Sequence, residues 1–315
     1  MNPLSALYGA AVRVRNELYD RGMMKMDPLQ GPVVSIGNLT VGGSGKTPFL
    51  ILLGELLTQR GIAFDVLSRG YRRRTQGVLI VDPSGSVHDF GDEPLLIATK
   101  LGVPVVVGED RHHAGEIAEV TFGPQLHLLD DGFQHRRLAR DFDIVLVTST
   151  DTGDSLLPAG RLREPLSSLS RADAVVLTSE SSPAGLQFQS RSIWRVRRDI
   201  VAPETLEPCF AFCGIARPEK FFAQLQAAGV VLADTRSFRD HHVYTDADVR
   251  DLQRSRQNAA AAAFLTTEKD AVNLGAHLQA LQPIHVVPVR MHLENAEAAV
   301  DAMLATIVER KQAAT

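Results

Sequence analysis

The segment SIGNLTVGGSGKTP has the residue types of a phosphate-binding loop. In such a loop, backbone N–H groups surround a phosphate, a lysine reaches the β- and γ-oxygens, and the next hydroxyl binds Mg²⁺. Gly42, Gly43 and Gly45 supply a permissive backbone. Lys46 supplies the charge and Thr47 supplies the hydroxyl. An apolar run precedes the loop and a helical pattern follows it, as the motif requires, so the segment predicts a nucleotide site.

The loop departs from the strict pattern at its first position. Thr40 stands where the first glycine belongs, five residues before the Gly-Lys-Thr end of the loop. The three remaining glycines can still make the turn. The predicted nucleotide-binding residues are Thr40, Val41, Gly42, Gly43, Ser44, Gly45, Lys46 and Thr47.

Two acidic residues follow a later apolar run, in the segment LHLLDDGFQH. An acid at the end of a strand helps to hold the Mg²⁺ of a bound nucleotide. Asp130 and Asp131 could be only a turn if they stood alone. Downstream of Lys46 and Thr47, they indicate a Walker B element, and the two motifs together predict ATP and Mg²⁺ as ligands.

These motifs do not choose between a kinase, a GTPase and a transport-type ATPase. A GTPase normally carries an Asn-Lys-x-Asp motif that reads guanine. In the segment TTEKDAV, Asp270 directly follows Lys269, and guanine specificity is therefore disfavoured.

A kinase also needs a group that accepts the proton of the substrate hydroxyl. The segment GDEP places Asp92 and Glu93 at the start of a predicted helix. They could divide the roles of base and metal ligand, or they could be there only because acids favour helix N-termini. His241 and His242, in RDHHVYTD, are further candidates, although a histidine alone is more often structural.

Short Val/Ile/Leu-rich runs alternate with helical patterns along most of the chain. This alternation predicts an α/β fold of the P-loop NTPase type, with a mostly parallel sheet covered on both faces. Ligands of such sheets bind at the carboxyl ends of the strands. The pattern changes near Leu186, and 315 residues favour more than one domain. The predicted division is an amphipathic helix in 1–30, a P-loop domain in 31–200 and a smaller α/β domain in 201–315 that contributes to the cleft.

The composition of the chain argues against several classes of protein. The formal net charge is −4, which gives no overall basic field and argues against a nucleic-acid partner. The two cysteines, Cys209 and Cys213, lie in an apolar run and are predicted to be reduced thiols on a strand. No apolar run is long enough for a transmembrane helix, and no signal peptide is recognised, so we expect a cytoplasmic protein.

The first segment predicts a helix capped by Asn2, with Pro3 at its first position. Apolar side chains recur at helical spacing at Leu4, Leu7, Tyr8, Ala11, Val14 and Leu18. Basic residues lie along or beside this stripe at Arg13, Arg15, Arg21 and Lys25. The stripe could pack on the rest of the chain, or it could lie in a membrane interface with the basic groups at the lipid phosphates.

The combination of motifs resembles one family. In order they are GNLTVGGSGKTP, LSRGYRRR, GDEPLLIA, LLDDGFQHRRLARDFDIVL, LPAGRLREPLSSLSRADAVVLT, AFCGIARPEKFF, DHHVYTDADV and FLTTEKDAV. The chain is similar over this whole span to tetraacyldisaccharide 4'-kinase, the lipid A 4'-kinase of Gram-negative bacteria. The departure at Thr40 is usual in that family.

The resemblance implies transfer of the ATP γ-phosphate to the 4'-hydroxyl of an acylated glucosamine disaccharide 1-phosphate, which gives lipid IVA. It implies a peripheral enzyme on the cytoplasmic face of the bacterial inner membrane, which favours the interfacial reading of the first helix. No protein partner is inferred.

The resemblance also implies roles for particular residues. Asp92 would be the catalytic base, oriented by His241, which reaches across from the second domain. Asp130 and Asp131 would belong to the catalytic network, and which of them contacts the metal stays open. The implied Mg²⁺ ligands are Thr47, Glu93 and Asp131. The basic residues implied near the phosphates or the lipid headgroup are Arg111, His135 and Arg163.

A second class of function remains as the alternative. A soluble P-loop ATPase or a metallochaperone-like protein would use the same loop. A metallochaperone is expected to carry a Cys-x-Cys or histidine-rich stretch near the loop, and the sequence has neither there.

Overall fold

The computed structural model describes residues 2–178, 192–205 and 207–313. The strands are β1 (Val33–Asn38), β2 (Phe64–Ser68), β3 (Leu79–Ile80), β4 (Val105–Val107), β5 (Leu126–Asp130), β6 (Phe142–Val147), β7 (Ala174–Thr178), β8 (Ser192–Ile200), β9 (Cys209–Cys213), β10 (Leu232–Ser237), β11 (Ala263–Thr267), β12 (Ile284–Val287) and β13 (Val289–Leu293). The helices are α1 (Pro3–Asp20), α2 (Lys46–Gln59), α3 (Val87–Phe90), α4 (Asp92–Leu101), α5 (Arg111–Phe122), α6 (Pro218–Ala227), α7 (Asp246–Asn258), α8 (Glu268–Leu274) and α9 (Ala296–Ala313).

The larger sheet has the strand order β13-β8-β7-β6-β1-β5-β2-β4-β3. Its strands are parallel except at the two edges, where β13 and β3 run antiparallel to their neighbours. Every residue of β1, β5 and β6 is buried, which explains their nearly continuous apolar sequences. The predicted α/β class with a mostly parallel sheet is confirmed.

Strand β1 lies at the centre of this sheet, between β5 and β6. Ile36 of β1 is in register with Asp130 of β5. The glycine-rich loop follows β1, and the acidic pair stands at the end of β5. Because parallel strands end at the same edge, this register brings the two predicted motifs together.

The smaller sheet has the order β10-β9-β11-β12, and its described pairs are parallel. Both cysteines lie on β9, buried and unbridged, as predicted. After β12 the chain returns to the larger sheet: β13 pairs with β8, and α9 packs Val300 and Met303 into the main core. The predicted range 201–315 therefore contains the smaller sheet and also a segment, 289–313, that belongs to the larger one.

The sequence boundary placed near Leu186 lies outside the described residues. The sequence does not reveal the return to the larger sheet, because only Pro288 separates β12 from β13. The segment PIHVVPVRMHL therefore looks like one strand, although its two halves belong to different sheets.

Helix α1 begins as predicted, with the Asn2 side chain accepting a hydrogen bond from the Leu4 backbone N–H. Its buried face is small and mostly polar, and consists of Ser5, Gly9, Val12, Asn16 and Tyr19. Three residues of the predicted apolar stripe point the other way, with Leu4 61% exposed, Leu7 70% and Val14 60%, whereas Tyr8 and Leu18 are half-buried. The helix thus packs on its own domain, but through the opposite face. None of the helices in the described part of the chain is long and apolar enough to cross a membrane.

Candidate active site

A cleft of about 1380 Å³ lies between the carboxyl edge of the larger sheet and the smaller unit. Its walls include the whole predicted loop, residues 40–47. Asp92, Asp131, Arg163 and His241 also line it. Most of the side chains singled out from the sequence therefore share one cavity.

The loop has the backbone that its glycines predict. Gly42 and Gly45 have φ values of 105° and 85°, a region that disfavours any residue with a Cβ. Gly45 occupies the N-cap of α2, and no side chain there caps the helix. The first N–H groups of α2 are consequently free of a side-chain cap and can bind an anion at the floor of the cleft.

Thr40 ties the loop to the larger domain instead of opening its turn. It is 4% exposed. Its hydroxyl donates to Asp151 Oδ1 at 3.3 Å and accepts from Asn38 Nδ2 at 3.2 Å. A glycine would lose both contacts, which explains physically why this loop carries threonine at that position.

Lys46 is held by an amide and a carboxylate. Its Nζ donates to Asn38 Oδ1 at 3.0 Å and lies 3.4 Å from Asp131 Oδ1. Arg163 forms a fork on the same carboxylate, with Nη1 2.9 Å from Oδ2 and Nη2 2.8 Å from Oδ1, and its Nη2 also contacts Asn38 Oδ1. Burial opposes ionisation of Asp131, but the charges of Lys46 and Arg163 prevail and lower its pKa.

Asp130 differs sharply from its neighbour. It is buried, and Ser68 Oγ donates to its Oδ2 at 2.9 Å. Its Oδ1 has no hydrogen-bond partner among the described residues. Burial, together with the negative charges of Glu93 and Asp131, raises the pKa of Asp130 to about 7. The two adjacent aspartates therefore have opposite electrostatic environments.

Asp92 and His241 meet across the cleft, although 149 positions separate them in the chain. His241 Nδ1 lies 2.8 Å from Asp92 Oδ2 and 3.0 Å from Oδ1. Asn273 Nδ2 donates to Oδ2 at 3.1 Å. Burial opposes the charge on Asp92, but the His241 contact and the Lys269 ammonium outweigh it and lower the pKa of Asp92 to about 2.

Glu93 and Lys269 complete this charge cluster. Lys269 Nζ lies 3.7 Å from Asp92 Oδ2 and 4.0 Å from Glu93 Oε1. Burial raises the pKa of Glu93, and the charge on Asp92 acts in the same direction. Burial opposes the charge of Lys269, but the surrounding carboxylates raise its pKa. The ionised form of Glu93 is therefore stable in this site only with a cation nearby.

Two of these residues have unusual backbones. Asp131 has a φ of 49° and His241 a φ of 59°, in the left-handed region that non-glycine residues rarely adopt. Such conformations cost on the order of 1–3 kcal/mol and persist where the surrounding contacts hold them. His241 is held in this way by Arg72, whose Nη1 donates to the carbonyl oxygens of Asp240 and His241.

Helix α1 packs directly on the loop that carries Arg163. Tyr8 Oη donates to the Arg163 carbonyl oxygen at 2.9 Å. Asn16 Nδ2 donates to Glu164 Oε2 at 2.7 Å, and Ser5 Oγ donates to the Leu156 carbonyl oxygen at 3.0 Å. The polar buried face of α1 is thus explained: it supports the segment that positions the Arg163 fork.

Burial lowers the pKa of Arg111, and the nearby charges of Asp130 and Asp131 act in the opposite direction. Neither Arg111 nor His135 is among the residues that line the cleft. Arg111 is 6% exposed and its Nη1 donates to the Glu109 carbonyl oxygen. Burial lowers the pKa of His135 to about 4, and the charge of Arg111 acts in the same direction. A contact between these two residues and a phosphate or headgroup stays a prediction.

The second histidine of the predicted pair has a different environment. His242 Nε2 lies 3.1 Å from Asp248 Oδ2, and its ring stacks on Phe238 with centroids 4.7 Å apart. The two neighbouring histidines therefore diverge, and only His241 contacts the acid at the start of α4.

The oxygen groups that face the cleft suit a hard divalent cation that binds together with the phosphates of a nucleotide. The unpartnered Asp130 Oδ1, the Glu93 carboxyl and the Thr47 hydroxyl at the start of α2 are oxygen groups, which Mg²⁺ prefers. No cluster of three or more His, Cys, Asp or Glu side chains forms a ready metal cage in the part of the chain that the structure describes. This pattern fits Mg²⁺, which usually takes one or two carboxylates, waters and substrate oxygens.

The fold and the cleft define a P-loop phosphotransferase with a second unit across the nucleotide loop. The family model for tetraacyldisaccharide-1-P 4'-kinase matches residues 1–309, and the chain belongs to that family. The chain is 50% identical to the tetraacyldisaccharide 4'-kinase of Koribacter versatilis, across 99% of this chain and 100% of that protein. It is 36% identical to the Aquifex aeolicus protein of the same name, across 94% of each.

A solved structure gives the same result. The crystal structure of LpxK from Aquifex aeolicus in complex with ATP matches with a TM-score of 0.81 and 35% identity, over 97% of both chains. The family that the motifs resemble is thereby confirmed.

Several residues of the cleft were not recognised from the sequence. Asn38, Ser68 and Asn273 are neutral polar residues whose importance comes only from the acids and bases they contact. The one local signal for Asn38 is that it is a polar residue at the end of an apolar strand, directly before the loop. Lys269 stands in TTEKDAV, where its neighbours in the chain give no sign of a contact with a distant histidine.

Proposed function

We propose that this chain transfers the γ-phosphate of ATP to the 4'-hydroxyl of a tetraacylated glucosamine disaccharide 1-phosphate, giving lipid IVA. The observation that carries the proposal is the Asp92–His241 contact, which faces a phosphate-binding loop across one cleft. A family member with this pair is equipped to orient a hydroxyl.

Asp92 would accept the proton of the attacking hydroxyl. The O–H bond breaks as the new P–O bond forms, and ADP leaves. With its pKa near 2, Asp92 is ionised at neutral pH but is a weak base. It therefore suits a loose transition state, in which the hydroxyl becomes strongly acidic only after bond formation to phosphorus has begun. His241 would hold the carboxylate in place through Nδ1.

The loop and its supports would bind the nucleotide. Lys46 would move from its resting contacts with Asn38 and Asp131 to the β- and γ-oxygens. Arg163 would keep Asp131 oriented through the two-point fork. The residues that would hold Mg²⁺ are Thr47, Glu93 and, of the two adjacent aspartates, Asp130, whose Oδ1 has no hydrogen-bond partner among the described residues. When bound, the cation neutralises charge on the transferring phosphate oxygens.

The exposed stripe of α1 would contact the membrane that contains the lipid substrate. Leu4, Leu7 and Val14 are more than half exposed, and Met23 beyond the helix is 70% exposed. The exposed Arg13 beside the stripe would meet anionic lipid phosphates, whereas Arg15 donates to the Gln134 carbonyl oxygen of its own domain. We therefore propose that the protein acts as a peripheral enzyme on the cytoplasmic face of the inner membrane.

The alternative function, a soluble ATPase or metallochaperone-like protein, would use the same loop, but no observation in the described residues favours it over the kinase. Neither cysteine is accessible, because both are buried on β9. The described residues also contain no metal cage of histidine, cysteine or acidic side chains.

The experiment compares three variants in the presence of ATP, Mg²⁺, detergent and the disaccharide lipid. Asp92→Asn and His241→Gln should each lower turnover about 100-fold or more, because the first removes the proton acceptor and the second removes the imidazole that holds the acceptor in place. His242→Gln is the matched control and should keep turnover, because its partner is Asp248. If both cleft variants turned over lipid at the wild-type rate, the roles proposed for this pair would be wrong.

A further inference from the structure

Lys269 lies behind His241 and contacts the ring nitrogen that faces away from Asp92. Its Nζ is 3.3 Å from His241 Nε2 and 2.9 Å from Asp240 Oδ1. The Lys269 side chain is 16% exposed. The lysine is the second residue of α8, so a short helix fixes the position of its stem. The Lys269 ammonium group therefore contacts the Asp92–His241 pair from the side of His241 that is opposite Asp92.

The chemistry of the two partners selects one tautomer of the imidazole. An ammonium group has three donors and no acceptor, so Nε2 must be the acceptor in this contact. A neutral imidazole with an unprotonated Nε2 carries its proton on Nδ1. Nδ1 is the atom that lies 2.8 Å from Asp92 Oδ2. Both contacts are satisfied only in this tautomer, with the N–H directed at the carboxylate.

The same helix also supports the carboxylate directly. Asn273 follows Lys269 by four residues, one helical turn later, so both side chains leave the same face of α8. Asn273 Nδ2 donates to Asp92 Oδ2 at 3.1 Å. Lys269 thus fixes the histidine while Asn273 fixes the acid, and α8 sets the geometry of the pair from the smaller unit.

We propose that Lys269 is a positioning residue that holds His241 in the Nδ1-protonated tautomer, aimed at Asp92. The inference rests on the proposed role of Asp92 and His241 in accepting the hydroxyl proton. Without the ammonium group, the imidazole can place its proton on Nε2 or rotate its ring, and Asp92 loses the imidazole N–H as a fixed donor while the Asn273 amide remains. The phosphate-binding loop is untouched, so the defect falls on turnover and not on ATP binding.

The experiment reads the tautomer directly from the ¹⁵N chemical shifts of histidine-labelled full-length protein. These shifts distinguish a protonated ring nitrogen from an unprotonated one. The His241 signals are identified by their loss in His241→Gln. The wild-type protein should show Nδ1 protonated and Nε2 unprotonated. Lys269→Met, which keeps the stem and removes every donor, should show a mixture of tautomers at His241, whereas Lys269→Arg should keep the wild-type pattern.

The kinetic arm uses the same variants with ATP and the disaccharide lipid. Lys269→Met should lower kcat at least tenfold and leave KM for ATP within twofold of wild type. Lys269→Arg should restore most of kcat. Lys100→Gln is the matched control, because Lys100 pairs with Glu268 between α4 and α8 without touching His241. It should leave both the shifts and kcat unchanged.

The outcomes separate this inference from the proposed function. A wild-type spectrum with His241 protonated on Nε2 would overturn the positioning role, whether or not any variant folds. Unchanged His241 shifts in Lys269→Met would overturn it as well, even with a lower kcat. Full turnover in Asp92→Asn would instead refute the proposed role of the acid, and the tautomer measurement would still stand by itself.

Discussion

Membrane binding through the outward face of α1 can be tested by a double substitution, Leu7→Ser with Val14→Ser. Both side chains project away from the domain, with 70% and 60% of their surface exposed. Deleting the helix would be a poorer test, because Tyr8 and the buried residues Ser5 and Asn16 support the loop that carries Arg163. Substitutions on the exposed face leave that support in place.

The expected magnitude follows from the exposed fractions. Complete burial of a leucine or valine side chain is worth about 1.5–3 kcal/mol. With 60–70% exposed, each side chain can still gain about 1–2 kcal/mol by entering the acyl boundary. The double variant should thus lose about 2–4 kcal/mol of binding, which corresponds to about a 30- to 700-fold weaker membrane partition. The stability of the fold should change by less than about 0.5 kcal/mol per site, because both sites are on the surface.

The assay is co-sedimentation with vesicles that contain phosphatidylglycerol, measured over a range of lipid concentrations. Val231→Ser is the matched control, since Val231 is 50% exposed but precedes β10 in the smaller unit. The control should partition like the wild type. If the double variant also bound vesicles with wild-type affinity, the outward face of α1 would not be the principal membrane contact.

Two further predictions concern stability. Replacing Thr40 with glycine, which restores the strict loop pattern, should destabilise the protein by about 1–3 kcal/mol, because two buried hydrogen bonds are lost and the unfolded chain gains freedom; an unchanged or higher Tm would contradict this reading of the loop. Burial opposes the charge on His127, but hydrogen bonds to Asp65 and Glu119 raise its pKa above 6.5. Its stabilising contribution is therefore complete below pH about 6.5 and is lost as the pH rises through the raised value. His127→Gln should remove that part of the pH dependence of Tm, and parallel wild-type and variant profiles between pH 6 and 9 would refute the assignment.

The sequence predicted the parts of the site that depend on local chain geometry. The glycine loop and the Asp130–Asp131 pair each follow a buried strand, so the order of strand, loop and helix was sufficient to place them together. The Asp92–His241 contact could not come from spacing, because it joins the start of α4 to the segment after β10 across the cleft. It was expected only from the resemblance to a known family.

Other features could not be predicted because they depend on tertiary contacts. The periodicity of α1 identified its apolar stripe but not which face the domain would bury, and the buried face is polar because it supports a loop far along the chain. Nothing local in Asn38 marks it as the residue that holds both Lys46 and Arg163. The return of β13 to the larger sheet is a property of strand pairing, which no single segment encodes.

The central claim is that the cleft transfers phosphate to a lipid-linked sugar hydroxyl. The most direct measurement incubates the pure protein with γ-labelled ATP, Mg²⁺ and tetraacyldisaccharide 1-phosphate in detergent and locates the label in the product. We expect one phosphate per lipid at the 4'-position, formed together with an equal amount of ADP. Release of labelled inorganic phosphate with no labelled lipid would contradict the account and would make the protein an ATPase.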